Sequence, residues 1–292
     1  MTSIDSQSEP KISVVINTLN EERNLRYCLR SVVPWANDIV VVDMHSEDGT
    51  RAVAEEFGAR VFLHERLGFA DPARAFAVSK ALNDWVLIVD ADEIVPRSLS
   101  DELFRIALRN EADVAEIPRR NYMFGALIEH TGWGATDDRQ ARFFRKGSLT
   151  TTGQIHRFLH PEPGARIARL ADAKGQSLIH FNYISMHQFI EKLNRYTSIE
   201  ASQAKPESEV ATPAASLRIA FNEWYYRYIT KKGHRDGWRG FYLALSMAFY
   251  RIATAAKHVE LRNAGGAEHI EQQYAQLAET VISEYAIAET SK

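Results

Sequence analysis

The sequence predicts an α/β protein: a mostly parallel sheet with helices on both faces, followed by a helical C-terminal region. Three observations carry that prediction. Short apolar runs alternate with helix-spaced apolar residues through the first ninety or so positions, the order expected of strand–helix–strand units. The run Trp85-Val86-Leu87-Ile88-Val89 has no polar alternation, which marks a strand covered on both faces. After residue 185 the pattern changes to helical spacing, so a domain is expected over 11–185 and a helical region over 186–292.

The elements follow in order. Ile12–Asn17 is a short apolar run and a first strand, and Leu25, Leu29, Val32 and Val33 give the first helix its buried stripe. Ile39–Asp43 is the second strand, Thr50–Phe57 a helix, Arg60–Leu63 a strand, Ala73–Leu82 a helix and Trp85–Asp90 a strand. Ser98 with Asp101 offers a capping box for a helix over Leu99–Leu108. Further on, Gln188–Ala201 and Ser216–Ile229 have helical spacing. Between them Ser202–Ser216, with Pro206 and Pro213, reads as a linker or loop. Phe241–Tyr250 carries no charge, and Ala267–Lys292 is helical in composition.

Composition narrows the function. With 292 residues, 45% of them hydrophobic, the chain can bury a large core. A net charge of −3 excludes a globally basic nucleic-acid binder. Cys28 is the single cysteine, so no internal disulfide can form, which suits a reducing compartment. Residues 1–10 are polar and lack the apolar core of a secretory signal. No apolar stretch reaches the ~20 residues that span a bilayer. A cytoplasmic protein is expected. No G-x-G-x-x-G follows the first strand and no G-x-x-x-x-G-K-[ST] occurs, which argues against a dinucleotide-binding dehydrogenase and a P-loop NTPase.

Polar clusters end the strands: Asn17-Thr18-Leu19-Asn20-Glu21-Glu22, Asp43 to Thr50, and Asp90-Ala91-Asp92-Glu93. Open α/β sheets bind ligands at these carboxyl ends. Two Asp residues at i and i+2 can hold a hard divalent cation that bridges to phosphates. They can equally cap a following helix.

In order and spacing, these segments resemble glycosyltransferase family 2, with its GT-A type nucleotide-sugar-binding fold. Ile12 to Glu22, Val41-Val42-Asp43 with Ser46-Glu47-Asp48-Gly49-Thr50, Arg74, and Asp90-Ala91-Asp92-Glu93 carry the resemblance. Gly132-Trp133, Asp138-Arg139-Gln140, Phe143-Phe144-Arg145 and Ile179-His180-Phe181-Asn182-Tyr183 make it most similar to bacterial enzymes that build lipopolysaccharide core and related surface glycans. The resemblance covers about residues 11–260.

It implies roles residue by residue. The backbone at Thr18 and Leu19 and the carboxylate of Glu21 would line the nucleoside pocket; a capping box between Thr18 and Glu21 is the alternative. Asp43 would read the uracil N–H, or serve as a turn Asp. Arg74 resembles the basic residue near the nucleotide, although Ala75 stands where the family often has Asn. Asp90 would lie by the ribose and metal, and Asp92 would ligate Mn²⁺ or Mg²⁺. An inverting transferase also needs a base within reach of the attacking hydroxyl. Asp138 matches the family segment better than Asp137, and an ion pair with Arg139 or Arg142 is its other reading. His156 is a second metal or diphosphate candidate. Here Ile155-His156-Arg157 replaces the family's V-H-E-like triplet, and a His satisfied by ordinary hydrogen bonds is the alternative.

The resemblance favours a UDP-sugar donor and a lipopolysaccharide-core, lipid-linked or other surface-glycan acceptor. The chain lacks a Q-x-x-R-W-like motif, so a single addition is expected rather than processive synthesis. Arg227, Lys231, Lys232, Arg235 and Arg239 precede Phe241–Tyr250. That stretch is either a core helix or an in-plane anchor at the inner membrane's cytoplasmic face. The C-terminal helix is open to pairing with a second subunit. A sugar nucleotidyltransferase and a non-catalytic nucleotide-sugar-binding scaffold are the competing classes.

Overall fold

The structure is a computed structural model that describes residues 9–66, 71–151, 159–204 and 212–290. Two compact units are present, Met1–Ile184 and Ser185–Lys292.

In the first unit the chain order is β1 (Ile12–Thr18), α1 (Glu22–Val32), β2 (Asp38–Asp43), α2 (Thr50–Glu56), β3 (Arg60–Leu63), α3 (Asp71–Lys80), β4 (Trp85–Asp90), β5 (Glu93–Ile94) and α4 (Arg97–Arg109). Strands then dominate: β6 (Val114–Met123), β7 (Ala126–Leu127), β8 (Arg139–Arg145), β9 (Leu149–Thr151), β10 (Leu159–Pro161), β11 (Ile167–Arg169) and β12 (Leu178–Tyr183). The main sheet runs β3-β2-β1-β4-β8-β6-β12-β5, with β7 and β11 added along β6.

The first four strands are mutually parallel, and alternation within them feeds two cores. Val14, Ile16, Leu87 and Val89 face one side with Leu25 and Leu29 of α1 and Leu99, Leu103 and Ile106 of α4. Val15, Val40, Val42, Val86 and Ile88 face the other, against Ala73 and Ala77 of α3 and Ala81 just beyond it. Leu25, Cys28, Leu29 and Val32 recur at the spacing of one helix face and are buried, so α1 lies flat on the sheet. The expected α/β class, with a mostly parallel sheet and helices on both faces, is what the chain adopts.

Two details differ from expectation. The Ser98–Asp101 capping box does not form. Pro96 stands at the N-cap without a side-chain bond, and Ser98 Oγ instead donates to Gly175 O at 2.7 Å. The second difference is larger. Beyond β4 the sheet continues through β8, antiparallel to both β4 and β6, and then β12, parallel to β6. Sequence periodicity missed these strands because β6 and β8 carry Arg119, Arg120, Asn121 and Arg142 inside them.

The second unit is helical. Ser185 caps α5 (Met186–Ser202) by accepting from Gln188 N–H at 3.2 Å. Thr212 caps α6 (Pro213–Tyr225), whose first residue is the proline that helix starts favour. A π-helical turn, Tyr226–Thr230, continues α6, and a 3₁₀ turn, Gly233–Asp236, leads into α7 (Gly237–Ala264) and then α8 (Ala267–Thr290). Gly240 is required where α7 meets that turn, since a Cβ there would lie 1.9 Å from Gly233 O. Within Phe241–Tyr250, Leu243, Ala244, Ala248 and Tyr250 are buried, whereas Phe241, Tyr242, Leu245 and Phe249 are exposed. Among the described residues no helix is long and apolar enough to cross a membrane.

Candidate active site

The carboxyl ends of β1, β2 and β4 fall level. Thr18 pairs with Asp43 across β1 and β2, and Asn17 pairs with Asp90 across β1 and β4. All four residues therefore stand on one rim of the sheet, where a ligand cleft is expected.

Several polar atoms on this rim are buried without a protein partner among the described residues: Asn17 Nδ2 and Oδ1, Thr18 Oγ1 and Asp43 Oδ1. An unsatisfied buried polar group costs about 1–3 kcal/mol, so a cluster of them marks where a ligand completes the bonding. Asp43 is fully buried, and its other oxygen accepts from Ser46 N–H at 3.0 Å.

The loops after β1 and β2 brace each other. Asn20 adopts a left-handed backbone with φ 55, which Asn tolerates better than most residues. Its N–H donates to Ser46 Oγ at 2.8 Å, and Glu47 N–H donates to Asn20 Oδ1 at 2.8 Å. Glu21 N–H donates to Thr50 Oγ1 at 2.9 Å, and Gly49 N–H to the Glu22 carboxylate at 2.9 Å. The Thr18–Glu21 capping box is absent: Thr18 is still strand, Glu21 makes no side-chain cap, and its carboxylate accepts from Asn24 Nδ2 at 2.8 Å. Leu19 packs beside the second core cluster.

Asp90 sits among guanidinium groups. Arg142 reaches its two oxygens at 3.2 and 2.6 Å, Arg74 reaches one at 2.6 Å, and Arg119 stands 3.9 Å away. Burial alone would raise its pKa, but Arg142 and then Arg74 outweigh that and hold it well below the usual carboxylate range. Arg74 is thus an inward-facing ion-pair partner rather than a solvated helix residue. Arg142, only 2% exposed, also stands 3.8 Å from the fully buried Glu93. Glu93 in turn accepts from Asp90 N–H at 2.9 Å and Arg119 at 3.3 Å.

Asp138 is fastened just as firmly. Arg119 donates to both its oxygens at 3.0 Å, Asn121 Nδ2 to one at 2.8 Å, and Gln140 to the other at 3.3 Å. Burial raises its pKa, and Arg119 more than cancels that, leaving it lowered. Its cation is Arg119, not the expected Arg139 or Arg142: Arg139 donates to Leu170 O and Arg142 serves Asp90. Asp137 lies exposed in the preceding turn, its N–H bonded to Gly134 O at 2.8 Å.

Asp92 stands apart from the arginines. Its Oδ2 lies 3.4 Å from His180 Nε2, and its carbonyl accepts from Phe181 N–H at 3.0 Å. A divalent cation that bridges to phosphates needs one or two protein carboxylates, with substrate and water filling the rest. Asp92, half-buried with its carboxylate clear of cations, fits that need. Asp90, expected beside the metal, has both oxygens on arginines instead. His156 falls outside the described residues. Among those described, no cluster of three or more His, Cys, Asp or Glu forms a metal cage.

The structure thus gathers Thr18, Asp43, Asp90 and Arg74 at one rim, and links Asp138 to Asp92 through Asn121 and His180. Sequence reading did not assign Arg119, Asn121, Arg142 or His180. The available signal was the presence of charged and amide residues at strand positions that otherwise alternate into the core.

Fold and rim together define an α/β protein with buried, unpartnered polar atoms at its strand ends and, beside them, a carboxylate, Asp92, that stands apart from the arginines. The chain belongs to glycosyl transferase family 2, whose model matches residues 13–162, and it is a glycosyltransferase. It is similar to the lipopolysaccharide core biosynthesis glycosyltransferase LpsC of Rhizobium meliloti, at 28% identity over 84% of this chain and 91% of that protein. An uncharacterized glycosyltransferase of Rickettsia felis is 26% identical over 85% of this chain and 89% of its own length. Among solved structures, residues 1–349 of S. aureus TarS in complex with UDP align over 87% of this chain and 90% of that one, at 17% identity and a TM-score of 0.45. The nucleotidyltransferase and scaffold readings give way to the family match.

Proposed function

We propose that this glycosyltransferase is an inverting, metal-dependent, non-processive enzyme that moves a sugar from a UDP-sugar to a lipopolysaccharide-core or related lipid-linked glycan. The observation that carries the donor site is the set of buried, unpartnered polar atoms on Asn17, Thr18 and Asp43. Asp43 Oδ1 is an acceptor suited to a uracil N–H, and the Thr18 and Leu19 backbone with Glu21 borders the nucleoside. Arg74, paired to Asp90 at 2.6 Å, would offer its guanidinium to the diphosphate. Similarity to LpsC over most of both chains supports the acceptor class.

Asp92, with His156 as its sequence-expected companion, would hold Mn²⁺ or Mg²⁺. When bound, that cation offsets charge on the departing diphosphate. The acceptor oxygen bonds to the anomeric carbon from the face opposite the diphosphate. The carbon–oxygen bond to phosphate breaks with its electron pair leaving on the UDP, and the acceptor proton passes to Asp138. All four lone-pair positions of Asp138 are filled, so an incoming hydroxyl displaces its longest bond, from Gln140 at 3.3 Å. The depressed pKa keeps Asp138 an anion ready to accept, at some cost in basicity.

A lipid-borne acceptor fits the second unit. Trp238, Phe241, Tyr242 and Phe249 are exposed within reach in sequence of Lys231, Lys232, Arg235 and Arg239, which supports contact with an anionic inner-membrane surface from the cytoplasm. Exposed Tyr274, Leu277 and Val281 on α8 support pairing with a second copy, tested by sizing the chain in solution.

A thermal-shift screen of UDP-, GDP- and dTDP-sugars with Mn²⁺ or Mg²⁺ tests the donor: UDP-sugars should raise the midpoint selectively. Asp138→Asn should lower kcat by about 10²–10⁴-fold with donor affinity retained. A dead Asp137→Asn beside an active Asp138→Asn would move the base to Asp137.

A further inference from the structure

We propose that Arg119 is a positioning residue that joins the donor and acceptor ends of the site: when the donor diphosphate draws Arg74 from Asp90, Arg119 shifts toward Asp90 and loosens its hold on Asp138. This rests on the readings of Arg74 and Asp138 given above.

Three guanidinium groups and three carboxylates alternate through the interior, in the order Arg74, Asp90, Arg142, Glu93, Arg119 and Asp138. They are shared unequally. Asp90 has Arg74 at 2.6 Å, Arg142 at 2.6 Å and Arg119 at 3.9 Å. Among the described residues, Asp138 has Arg119 alone within ion-pair distance. The one close cation of the base is thus also the third cation of the donor-side carboxylate.

The Arg119 guanidinium is divided between these duties. Its Nε and Nη2 each donate to Asp138 at 3.0 Å, and its backbone N–H donates to Asp138 O at 2.9 Å. Nη1 stands 3.3 Å from Glu93 Oε1 and 3.9 Å from Asp90 Oδ2, the first a long bond and the second none. Arg119 therefore has bonding capacity left on its donor side. Glu93 is fully buried, and its other oxygen accepts from Asp90 N–H at 2.9 Å, so one carboxylate sets the gap between Nη1 and Asp90.

Arg74 is the member placed to leave, since it comes from α3, whereas Arg119 and Arg142 stand within strands of the sheet. A diphosphate that takes Arg74 leaves Asp90 Oδ1 with only the longer Arg142 contact, at 3.2 Å. In a largely buried cluster an uncovered charge is felt strongly, because the effective dielectric is far below that of water. Arg119 Nη1 is the nearby donor with capacity to spare. A guanidinium is a rigid planar fork, so closing the 3.9 Å gap on one side lengthens the bonds on the other. Asp138 is then held less tightly when the acceptor hydroxyl needs a place on it.

The experiment follows the Arg119 Nε–H by NMR in the full chain labelled with ¹⁵N-arginine, the resonance being assigned through its own side chain and backbone. A hydrogen-bonded proton resonates downfield, so saturating UDP with Mg²⁺ should move this one upfield as its bond to Asp138 lengthens. The wild type alone gives that result. Arg74→Gln deprives Asp90 of the same partner, so its Arg119 resonance should lie upfield before UDP is added and stay there at saturation. UDP affinity, read by calorimetry, should fall about 10-fold or more in that variant. The proposal is overturned if the wild-type resonance does not move under saturating UDP, or if it moves equally in Arg74→Gln. Unchanged UDP affinity in Arg74→Gln removes the Arg74 reading, and this one with it.

Discussion

The two halves of the sheet treat polar atoms in opposite ways. In the parallel half, β3-β2-β1-β4, the strands are apolar inside and the polar residues at their ends leave donors and acceptors unused: Asn17, Thr18 and Asp43. In the mixed half, β8-β6-β12-β5, charged residues sit within the strands and the buried carboxylates are answered by guanidinium groups, with Arg142 Nε and Arg145 Nε the atoms left over among the described residues. Arg119 serves Asp138 and Glu93, and Arg142 serves Asp90 and Glu93. Open bonding capacity belongs to a binding rim, because a ligand must supply the missing partners. Saturated capacity belongs to a scaffold that fixes where Asp90, Asp92 and Asp138 stand. If the proposed donor site is right, binding and positioning are divided between strands of one sheet, and the division can be tested.

The largest effect should come from the saturated half. Arg142→Met removes a buried guanidinium that reaches both oxygens of Asp90 and leaves that carboxylate with Arg74 as its one close cation and Glu93 with Arg119. Breaking such a pair costs about 3–5 kcal/mol. Urea unfolding should show the loss; a change under about 1 kcal/mol would mean that water replaces the guanidinium and the half is not a scaffold. Asp43→Asn comes next and should act on binding instead. It exchanges an acceptor oxygen for either end of an amide, so UDP affinity should fall about 10-fold or more, the worth of a buried hydrogen bond to charge. Stability should stay within about 0.5 kcal/mol of wild type; a loss matching that of Arg142→Met would erase the contrast between the halves.

Acid should discriminate as well. Arg166 pulls Asp113, at the start of the mixed half, down to about 2 through its side-chain hydrogen bonds. A carboxylate depressed in the folded state contributes stability that is full above its unfolded value near 3.9 and is lost as pH falls toward 2. Asp113→Asn should flatten the acid limb between about pH 4 and 2, by about 1 kcal/mol, and leave neutral pH almost unchanged in its pH slope. Identical acid slopes would show that the pair gives nothing.

The smallest effect belongs to the open half. Thr18→Val is close to isosteric and removes a buried hydroxyl that has no protein partner. Without ligand it should be neutral or stabilising by up to about 1 kcal/mol. A loss beyond that would show the hydroxyl already satisfied before any ligand arrives.

Much of the parallel half was legible in the chain. β3 and β4 fall at Arg60–Leu63 and Trp85–Asp90, as apolar runs and their polar ends predict, and β1 and β2 differ by a residue. Strands covered on both faces carry a dense local signal, since every position must be apolar. The family resemblance was equally local, resting on short segments whose order alone is specific. Less legible was any residue whose meaning lies in a distant partner. Asp138 was read as a base or a partner of Arg139 or Arg142, yet its guanidinium comes from Arg119, on the adjacent strand. Asp90 and Asp92 look alike in sequence, but only one is surrounded by arginines.

What the sequence determined by itself is the strand–helix alternation, the polar strand ends and the family, because each is written in residues a few positions apart. What only the tertiary structure decided is which carboxylate is paired and which is left for a ligand. That outcome depends on β6, β8 and β12 arriving beside β4 and β5 from up to ninety residues away, with the registers that set Asn121 opposite His180 and Arg119 next to Asp138. Periodicity records which side chains face inward. It does not record which charge will meet which, since that is settled by strand pairing at long range, where a one-residue slip would turn every partner to the other face.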